Sequence, residues 1–322
     1  MAQVLVTGGA GFIGSHAVRR LLDRGDSVRI LDNFDPYYDP AIKHRRLEFL
    51  MDAAEGRLTL IEGDLRRPED CAAAVDGVDG VVHLAALAGV RPSIEAPARY
   101  MDVNVTGTQI LLDAVRGRPG IPVVFGSSSS VYGGNKKVPF SEADPVDHPV
   151  SPYAASKKAG EVLCHSFHHL HGHPVTCLRL FTVYGPGQRP EMAIHKFCRL
   201  MLAGEPVPFF GNGETVRDYT YVDDIVSGVV AALDRAGGYH VYNLGGSETT
   251  TLARLVEMLE ETLECRAVLD RQPDQPGDVV KTHADTSLAQ RELGYRSEVT
   301  LAEGLRRFVS WYREEFAAGR VT

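Results

Sequence analysis

A glycine-rich turn near the start of the chain constrains the fold more than any other feature. The run VLVTGGAGFIG, residues 4–14, places Gly8, Gly11 and Gly14 three residues apart, between a short apolar segment and a helical pattern. A strand, a tight turn and a helix in this order present backbone N–H groups to a phosphate, and the glycines let the backbone approach it closely. Glycine turns also occur elsewhere, but here the flanking segments agree, so the sequence predicts a dinucleotide-binding turn.

Up to about residue 180, short β-branched apolar runs alternate with longer helical patterns. This alternation is typical of a parallel sheet that is covered by helices on both faces. The predicted strands are residues 3–6, 28–31, 58–61, 80–84, 123–125 and 175–180. The predicted helices are residues 13–24, 68–74, 100–115 and 153–171, with an additional loop and helix within residues 34–55. The sequence therefore predicts a Rossmann-type, doubly wound α/β fold.

The alternation weakens after Tyr184, where glycines and prolines interrupt the chain. We expect residues 1–184 to form an NAD-binding Rossmann domain, with residues 221–244 returning to its sheet. Residues 185–220 and 245–322 are then expected to form a smaller C-terminal substrate-binding domain.

Composition narrows the function classes. The net charge of −8, from 34 basic and 42 acidic residues, disfavours binding to nucleic acid or anionic lipid. The first basic residue is Arg19, and no apolar run approaches the roughly 18 residues of a membrane span, so neither a signal peptide nor a membrane helix is expected. The five scattered cysteines lack a CxxC pair, which disfavours disulfides and zinc. These features predict a cytoplasmic protein.

Asp32 ends the second predicted strand, eighteen residues after Gly14. A carboxylate at about this distance accepts hydrogen bonds from the adenosine ribose, and it would repel the 2′-phosphate of NADP. Asn33 and Phe34 supply no arginine for that phosphate, so the pattern predicts NAD, although aspartate is also an ordinary turn residue. Asp64, after the third strand, is interpreted either as an adenine contact or as a turn residue.

A tyrosine and a lysine, Tyr153 and Lys157, lie four residues apart on one predicted helix. On a shared helix face, the ammonium can stabilise a phenolate and lower the tyrosine pKa, so that Tyr153 can act as a general base. Ser128 ends the preceding strand, where its hydroxyl can bond the same substrate oxygen. A Tyr–Lys pair alone is common by chance, but the glycine turn and the serine run make this interpretation stronger.

Motifs dispersed over nearly the whole chain resemble the extended short-chain dehydrogenase/reductase family, in its branch of nucleotide-sugar epimerases and dehydratases. The matching motifs are residues 7–14, Asp64, 84–86 (LAA), Asn104, 183–186 (VYGP) and 217–224 (RDYTYVDD). The resemblance implies that NAD is the cofactor, a UDP-sugar the substrate, and Ser128, Tyr153 and Lys157 the catalytic residues. It also places Asn104 in support of the lysine, and implies a homodimer paired through helices 100–115 and 153–171.

The predicted site residues form two sets. The set expected to bind NAD comprises Gly8, Gly11, Phe12, Ile13, Gly14, Asp32, Asn33, Asp64, Leu65, Leu84, Ala85, Ala86, Asn104, Tyr153 and Lys157. The set expected to bind the substrate comprises Arg91, Ser128, Ser129, Ser130, Thr182, Arg189, Arg217 and Asp278, of which the resemblance places Arg217 and Asp278 on the diphosphate and ribose.

Within this branch the chain is most similar to the UDP-glucuronate 4-epimerases. The similarity lies in residues 32–38 with Lys43, 88–91, 127–138 and 181–192. Thr182 stands where many relatives have asparagine, and Arg189 offers a bidentate fork to a sugar carboxylate, unless it is a solvated loop residue. The resemblance implies conversion of UDP-glucuronate to UDP-galacturonate through a 4-keto sugar.

Other functions remain open at this point. Sugar dehydratases and UDP-glucuronate decarboxylases resemble this chain but carry carboxyl groups where it has Ser129 and Ser130, which favours epimerisation. A 4-epimerase of UDP-glucose or UDP-N-acetylglucosamine is the nearest alternative, and an inactive NAD-binding sensor is another. The histidines of residues 165–173 have spacings that could hold a metal, but without a carboxylate or cysteine partner we predict no metal site.

Overall fold

The computed structural model describes residues 1–246, 248–273 and 279–320. Its strands are β1 (Gln3–Thr7), β2 (Ser27–Asp32), β3 (Leu58–Glu62), β4 (Gly80–His83), β5 (Val123–Ser128), β6 (Val175–Leu180), β7 (Thr182–Tyr184), β8 (Val207–Phe210), β9 (Val216–Tyr221), β10 (Tyr239–Leu244), β11 (Thr249–Thr251) and β12 (Leu269–Gln272). Its helices are α1 (Phe12–Asp23), α2 (Pro40–Ala53), α3 (Pro68–Val75), α4 (Val90–Glu95), α5 (Pro97–Met101), α6 (Gly107–Arg116), α7 (Pro152–His171), α8 (Ala193–Leu202), α9 (Val222–Asp234), α10 (Leu252–Leu263), α11 (Ser287–Leu293) and α12 (Leu301–Ala317).

Seven parallel strands form the central sheet, in the order β10-β6-β5-β4-β1-β2-β3. The predicted Rossmann-type, doubly wound α/β fold is therefore confirmed. The strand order reverses between β1 and β4, and the cleft outside the carboxyl ends of the strands at such a point is where this fold binds its ligands. The final strand of the sheet, β10, lies within the segment that the sequence predicted to return.

Helices cover both faces of this sheet. Apolar residues of α1, α2 and α9 pack on one face, and residues of α3, α6 and α7 pack on the other. Because both faces are covered, the strands read as almost continuous apolar runs, and Val4, Leu5 and Val6 are all fully buried.

Two small sheets, β11-β9-β7 and β12-β8, lie outside the central one. Strand β7 was not predicted: it follows β6 after one residue, Phe181, and pairs with β9 instead of a neighbour of β6. Strand β7, at the end of the segment that the sequence assigned to the first domain, thus pairs with a strand from the second part of the chain. Three-residue strands carry too little pattern to be recognised in a sequence.

The segment predicted as one helix over residues 100–115 is divided. A π-helical turn, Asp102–Thr106, separates α5 from α6 and contains the buried Asn104. The Thr108 hydroxyl donates a 2.6 Å hydrogen bond to the Asn104 backbone carbonyl. This side-chain bond to a backbone acceptor lies at the irregular turn. Single π-helical turns often occur at functional sites.

None of the helices in the described ranges combines the length and apolarity that crossing a bilayer requires. All five cysteines are free thiols. Four of them are buried, in keeping with a packing role, and Cys265 is partly exposed.

Candidate active site

A long cleft follows the carboxyl ends of the central strands, and most of the predicted site residues line it. Those of the cofactor set are Gly8, Gly11, Phe12, Ile13, Gly14, Asp32, Asn33, Asp64, Leu65, Leu84, Ala85, Ala86, Tyr153 and Lys157. Those of the substrate set are Ser128, Ser129, Ser130, Thr182 and Arg189. One cleft therefore brings together residues from six strand ends and the loops that follow them.

The glycine turn has the geometry of a phosphate cradle. A Cβ atom on Gly14 would lie 2.0 Å from the Gly8 carbonyl oxygen, so only glycine allows α1 to begin so close to β1. Gly8 itself has a φ of +71°, a conformation that favours glycine. Gly11 precedes α1 without a side-chain cap, which leaves the first N–H groups of the helix for a ligand phosphate.

Asp32 is held in place at the end of β2. One carboxylate oxygen accepts the Ala10 N–H at 3.1 Å, and the other accepts the Phe34 N–H at 2.9 Å. A carboxylate has about four acceptor sites, so both oxygens can still accept ribose hydroxyls. Together with the glycine cradle, this arrangement fits NAD.

Asp64 is held by two neighbouring side chains. Its carboxylate accepts hydrogen bonds from Arg66 and, at 2.9 Å, from Asn33. The Arg66 guanidinium holds the pKa of Asp64 well below its usual value. Asp64 therefore stays ionised, and its contact with adenine remains a prediction.

Ser128, Tyr153 and Lys157 meet where β5 and α7 face each other. Ser128 Oγ accepts the Ser130 N–H at 3.1 Å. Burial raises the pKa of Tyr153 above its usual value, while a hydrogen bond with Ser128 and the charge of Arg189 lower it. The Arg189 charge therefore favours the phenolate form of Tyr153.

Lys157 contacts β5 in this structure. Its ammonium donates a 2.7 Å hydrogen bond to the Gly126 carbonyl and lies 5.2 Å from the centre of the Phe125 ring. Burial lowers the pKa of Lys157 to about 8, so the group still carries a proton at pH 7. Direct stabilisation of a Tyr153 phenolate by Lys157 stays a prediction.

Asn104 connects the loop after β4 with the helix that carries Lys157. Its side chain exchanges hydrogen bonds of 2.8 and 2.9 Å with the Leu87 backbone and donates one of 2.9 Å to Ser156, the neighbour of Lys157. These contacts join the loop after β4 to the first turns of α7. Asn104 is not among the described residues that line the cleft.

A buried chain of hydrogen bonds connects the glycine turn with the π-helical turn. Thr108 uses its hydroxyl proton on the Asn104 carbonyl and therefore accepts from His83 Nε2 at 3.0 Å. Thr7 Oγ1 accepts the Ala85 N–H and donates to His83 Nδ1 at 2.7 Å. Burial lowers the pKa of His83 to about 3, so the ring is neutral and its tautomer is fixed.

The remaining substrate residues lie elsewhere. Arg91 is exposed on α4 and stacks on the Phe210 ring, 5.2 Å from its centre. Arg217 lies on β9, where it donates to the Val216 carbonyl at 3.0 Å. Neither lines the described part of the cleft, and Asp278 lies outside the described residues, so the three proposed contacts with a nucleotide sugar remain predictions.

Sequence reasoning gave no role to three further cleft residues, Tyr37, Tyr38 and Lys43. They belong to the segment after β2 that carried the resemblance, but their spacing matches no helix or strand period. The Lys43 ammonium donates a hydrogen bond of 2.9 Å to the Asp35 carbonyl, and burial lowers the pKa of Lys43. Tyr37 and Tyr38 lie on the loop after β2 and Lys43 lies on α2, and only the folded path of this segment brings all three into the cleft.

A buried ion pair lies directly beneath the serine run. Glu161 of α7 accepts two hydrogen bonds of 2.9 Å from Arg179 of β6, and it also accepts the Ser127 hydroxyl at 2.7 Å. Arg179 donates further to the Tyr132 hydroxyl at 3.0 Å. The network fixes the strand end that carries Ser128.

The sequence pattern of the NAD dependent epimerase/dehydratase family matches residues 4–245, about three quarters of the chain. The chain belongs to this family. UDP-glucuronate 4-epimerase 1 of Arabidopsis thaliana is 43% identical over an alignment of 331 positions, which covers 96% of this chain and 76% of that relative.

Solved structures of family members superpose closely on this one. UDP-glucuronic acid 4-epimerase from Bacillus cereus, in complex with UDP-glucuronic acid and NAD, has a TM-score of 0.91 and 35% identity over 97% of this chain and 99% of that one. A dTDP-glucose 4,6-dehydratase from Streptomyces venezuelae with bound NAD also reaches 0.91, at 34% identity over 98% of each chain. The reaction must therefore be argued from the site and not from the fold.

Proposed function

We propose that this NAD-dependent family member interconverts UDP-glucuronate and UDP-galacturonate by epimerising sugar C4. The observation that carries the proposal is the meeting of Tyr153 and Arg189 in one cleft: a base for the C4 hydroxyl and a cation for the sugar carboxylate. Resemblance to proteins named UDP-glucuronate 4-epimerases supports it.

The proposed chemistry needs a proton acceptor, a hydrogen-bond donor and an anchored substrate. NAD, held by the glycine turn and Asp32, supplies a hydride acceptor that returns the hydride later. Tyr153 removes the C4 hydroxyl proton while Ser128 hydrogen-bonds the reacting oxygen. The resulting 4-keto sugar turns about its bond to the diphosphate, so that C4 would take the hydride back on its opposite face while Tyr153 returns the proton to the C4 oxygen.

The serines after Ser128 support epimerisation over elimination. Ser129 and Ser130 line the cleft beside the reacting position, where elimination of water would need a carboxyl group as acid or base. Hydroxyl groups can orient a sugar but do not take up protons near neutral pH. The proposal therefore excludes dehydratase chemistry.

The experiment that tests the proposal is product analysis on three substrates. The purified protein is incubated with UDP-glucuronate, UDP-glucose and UDP-N-acetylglucosamine, and the products are identified by mass spectrometry and NMR. UDP-galacturonate as the main product supports the proposal. Faster epimerisation of a neutral sugar would replace it with the neutral-sugar alternative, and the absence of any product would favour an NAD-binding sensor.

Arg189→Ala should show what happens when the sugar carboxylate is no longer held. A 4-keto glucuronate is a β-keto acid, and it loses carbon dioxide when the bond to the carboxylate aligns with the carbonyl π system. A charge-assisted hydrogen bond contributes about 1.5–3 kcal/mol, so we expect the variant to bind UDP-glucuronate roughly tenfold to a hundredfold more weakly. It should also release more decarboxylated UDP-4-keto-pentose and leave more cofactor reduced.

Mass spectrometry of the products and absorbance at the NADH band measure this. Arg199→Ala is the matched control, because Arg199 also pairs with a glutamate, Glu205, at 3.5 Å. Unchanged binding with no additional carbon dioxide in Arg189→Ala would remove the main physical support for a uronate substrate.

The finer organisation is also part of the proposal. We assign residues 1–184 and 221–244 to NAD binding, and residues 185–220 and 245–322 to substrate binding; the pairing of β10 with β6 supports this division. A homodimer through residues 100–115 and α7 is supported by the exposed apolar side chains of Val162 and Leu170. A cytoplasmic location accords with the five free thiols.

A further inference from the structure

We infer that Tyr37 is a positioning residue that orients Arg189 toward the sugar carboxylate, so that the segment after β2 selects the uronate. The inference rests on the proposed function and adds a residue to it. The Arg189 guanidinium lies over the Tyr37 ring, 5.5 Å from its centre. Both side chains line the cleft that contains Tyr153.

Two groups hold Arg189 in this position. The Tyr37 ring occupies one face of the guanidinium, and Glu191 pairs with Nε at 3.2 Å. A guanidinium has five N–H donors in a plane. Stacking and the Glu191 pair leave the Nη groups as donors for a ligand carboxylate, in a fixed plane.

The Tyr37 ring is itself held from both sides. Its hydroxyl lies beside Tyr100, whose ring packs edge-on against Tyr153 with 6.3 Å between the ring centres. A Cβ atom on Gly89 would lie 2.8 Å from the Tyr37 hydroxyl, so the loop after β4 leaves space for this ring. Tyr37 thus lies between Arg189 and Tyr100, the residue that packs against Tyr153.

Successive turns, each closed by a side-chain hydrogen bond, lead the backbone from the end of β2 to Tyr37. Asp32, Asn33 and Asp35 each accept the N–H two residues further along, at 2.9, 3.1 and 3.0 Å. Arg99 holds the Asp35 carboxylate at 2.7 Å. The same short segment therefore begins at the proposed ribose-binding carboxylate and ends beneath Arg189.

If the Tyr37 ring orients Arg189, removing the ring should weaken the binding of UDP-glucuronate and not that of a neutral UDP-sugar. We would measure dissociation constants by calorimetry for UDP-glucuronate and UDP-glucose on the NAD-containing protein, in a Tyr153→Phe background that stops turnover. Tyr37→Leu should weaken UDP-glucuronate binding about fivefold to tenfold, the range expected when a cation loses its aromatic partner. UDP-glucose binding should change less than twofold, because a neutral sugar makes no use of Arg189.

Two comparisons distinguish orientation from packing. Tyr37→Phe keeps the ring face and should lose no more than about threefold, since the face and not the hydroxyl contacts the guanidinium. In an Arg189→Ala background, Tyr37→Leu should have no further effect on UDP-glucuronate binding, because the two residues act through one contact. If thermal melting shows that Tyr37→Leu is unfolded, Tyr37→Met gives the same comparison.

An equal loss for both sugars, an effect that persists without Arg189, or a loss in Tyr37→Phe as large as that in Tyr37→Leu would each overturn the inference. The proposed function fails in a different way: Arg189→Ala would then bind UDP-glucuronate as well as the parent does. A loss in Arg189→Ala with no loss in Tyr37→Leu overturns the role of Tyr37 alone.

Discussion

Replacing Tyr153 with phenylalanine is expected to lower kcat for UDP-glucuronate epimerisation by about 10²–10⁴-fold, the usual contribution of a general base. The ring would still pack against Tyr100, because only the hydroxyl is removed. Initial rates are measured by NMR of the sugar products. Since the substitution leaves Asp32 and the glycine turn intact, NAD binding should be retained.

Tyr242→Phe is the matched control for this prediction. This substitution likewise removes one hydroxyl, which donates a hydrogen bond of 2.7 Å to Glu292. Tyr242 does not line the described cleft. We expect its kcat to remain within about twofold of the parent, as for other positions away from the chemistry. A near-normal kcat in Tyr153→Phe would mean that another group takes the proton.

Arg179→Met should destabilise the fold by about 3 kcal/mol, because the buried Glu161 carboxylate loses its bidentate partner and keeps only Lys158, at 3.7 Å. Both side chains are almost completely buried, at 4% and 2% exposure for Arg179 and Glu161. The free energy of unfolding is measured in urea. Because the pair lies beneath the serine run, we also expect a lower kcat in the folded fraction.

Two controls separate burial of a charge from loss of a contact. The double variant Glu161→Leu, Arg179→Met removes both charges and should recover much of the loss, as replacement of other buried ion pairs by apolar residues does. Arg266→Met breaks an exposed pair with Glu260 and should cost at most about 1 kcal/mol. An Arg179→Met loss no larger than that of Arg266→Met would show that the buried network does not stabilise the fold.

The cleft also explains why the reaction cannot be read from overall shape. A dehydratase and an epimerase both superpose on this chain with a TM-score of 0.91. The proposed distinction lies in a few side chains that line the cleft, such as Ser129, Ser130 and Arg189. Experiments on those residues are therefore more informative than further comparison of folds.

The sequence by itself determined the central sheet and the cofactor end of the cleft. Strands buried on both faces require continuous apolar runs, and a phosphate cradle requires glycines at fixed local spacing, so both leave a short-range pattern. The Tyr153–Lys157 pair is likewise local, since one helical turn joins its members. Gly8, Gly11, Gly14 and Asp32 were accordingly placed correctly at the cleft.

Only the tertiary structure decided which groups meet across distant segments. The Lys157 ammonium contacts Gly126 because β5 packs against α7, and Arg189 lines the same cleft as Tyr153 although 36 residues separate them in the sequence. Tyr37 reaches Arg189 through successive turns that have no helix or strand period. The chain leaves the central sheet at the end of β6, and after one residue it forms β7 in another sheet. Such contacts depend on loop paths and packing, which hydrophobic periodicity does not encode, so they appear only once the chain has folded.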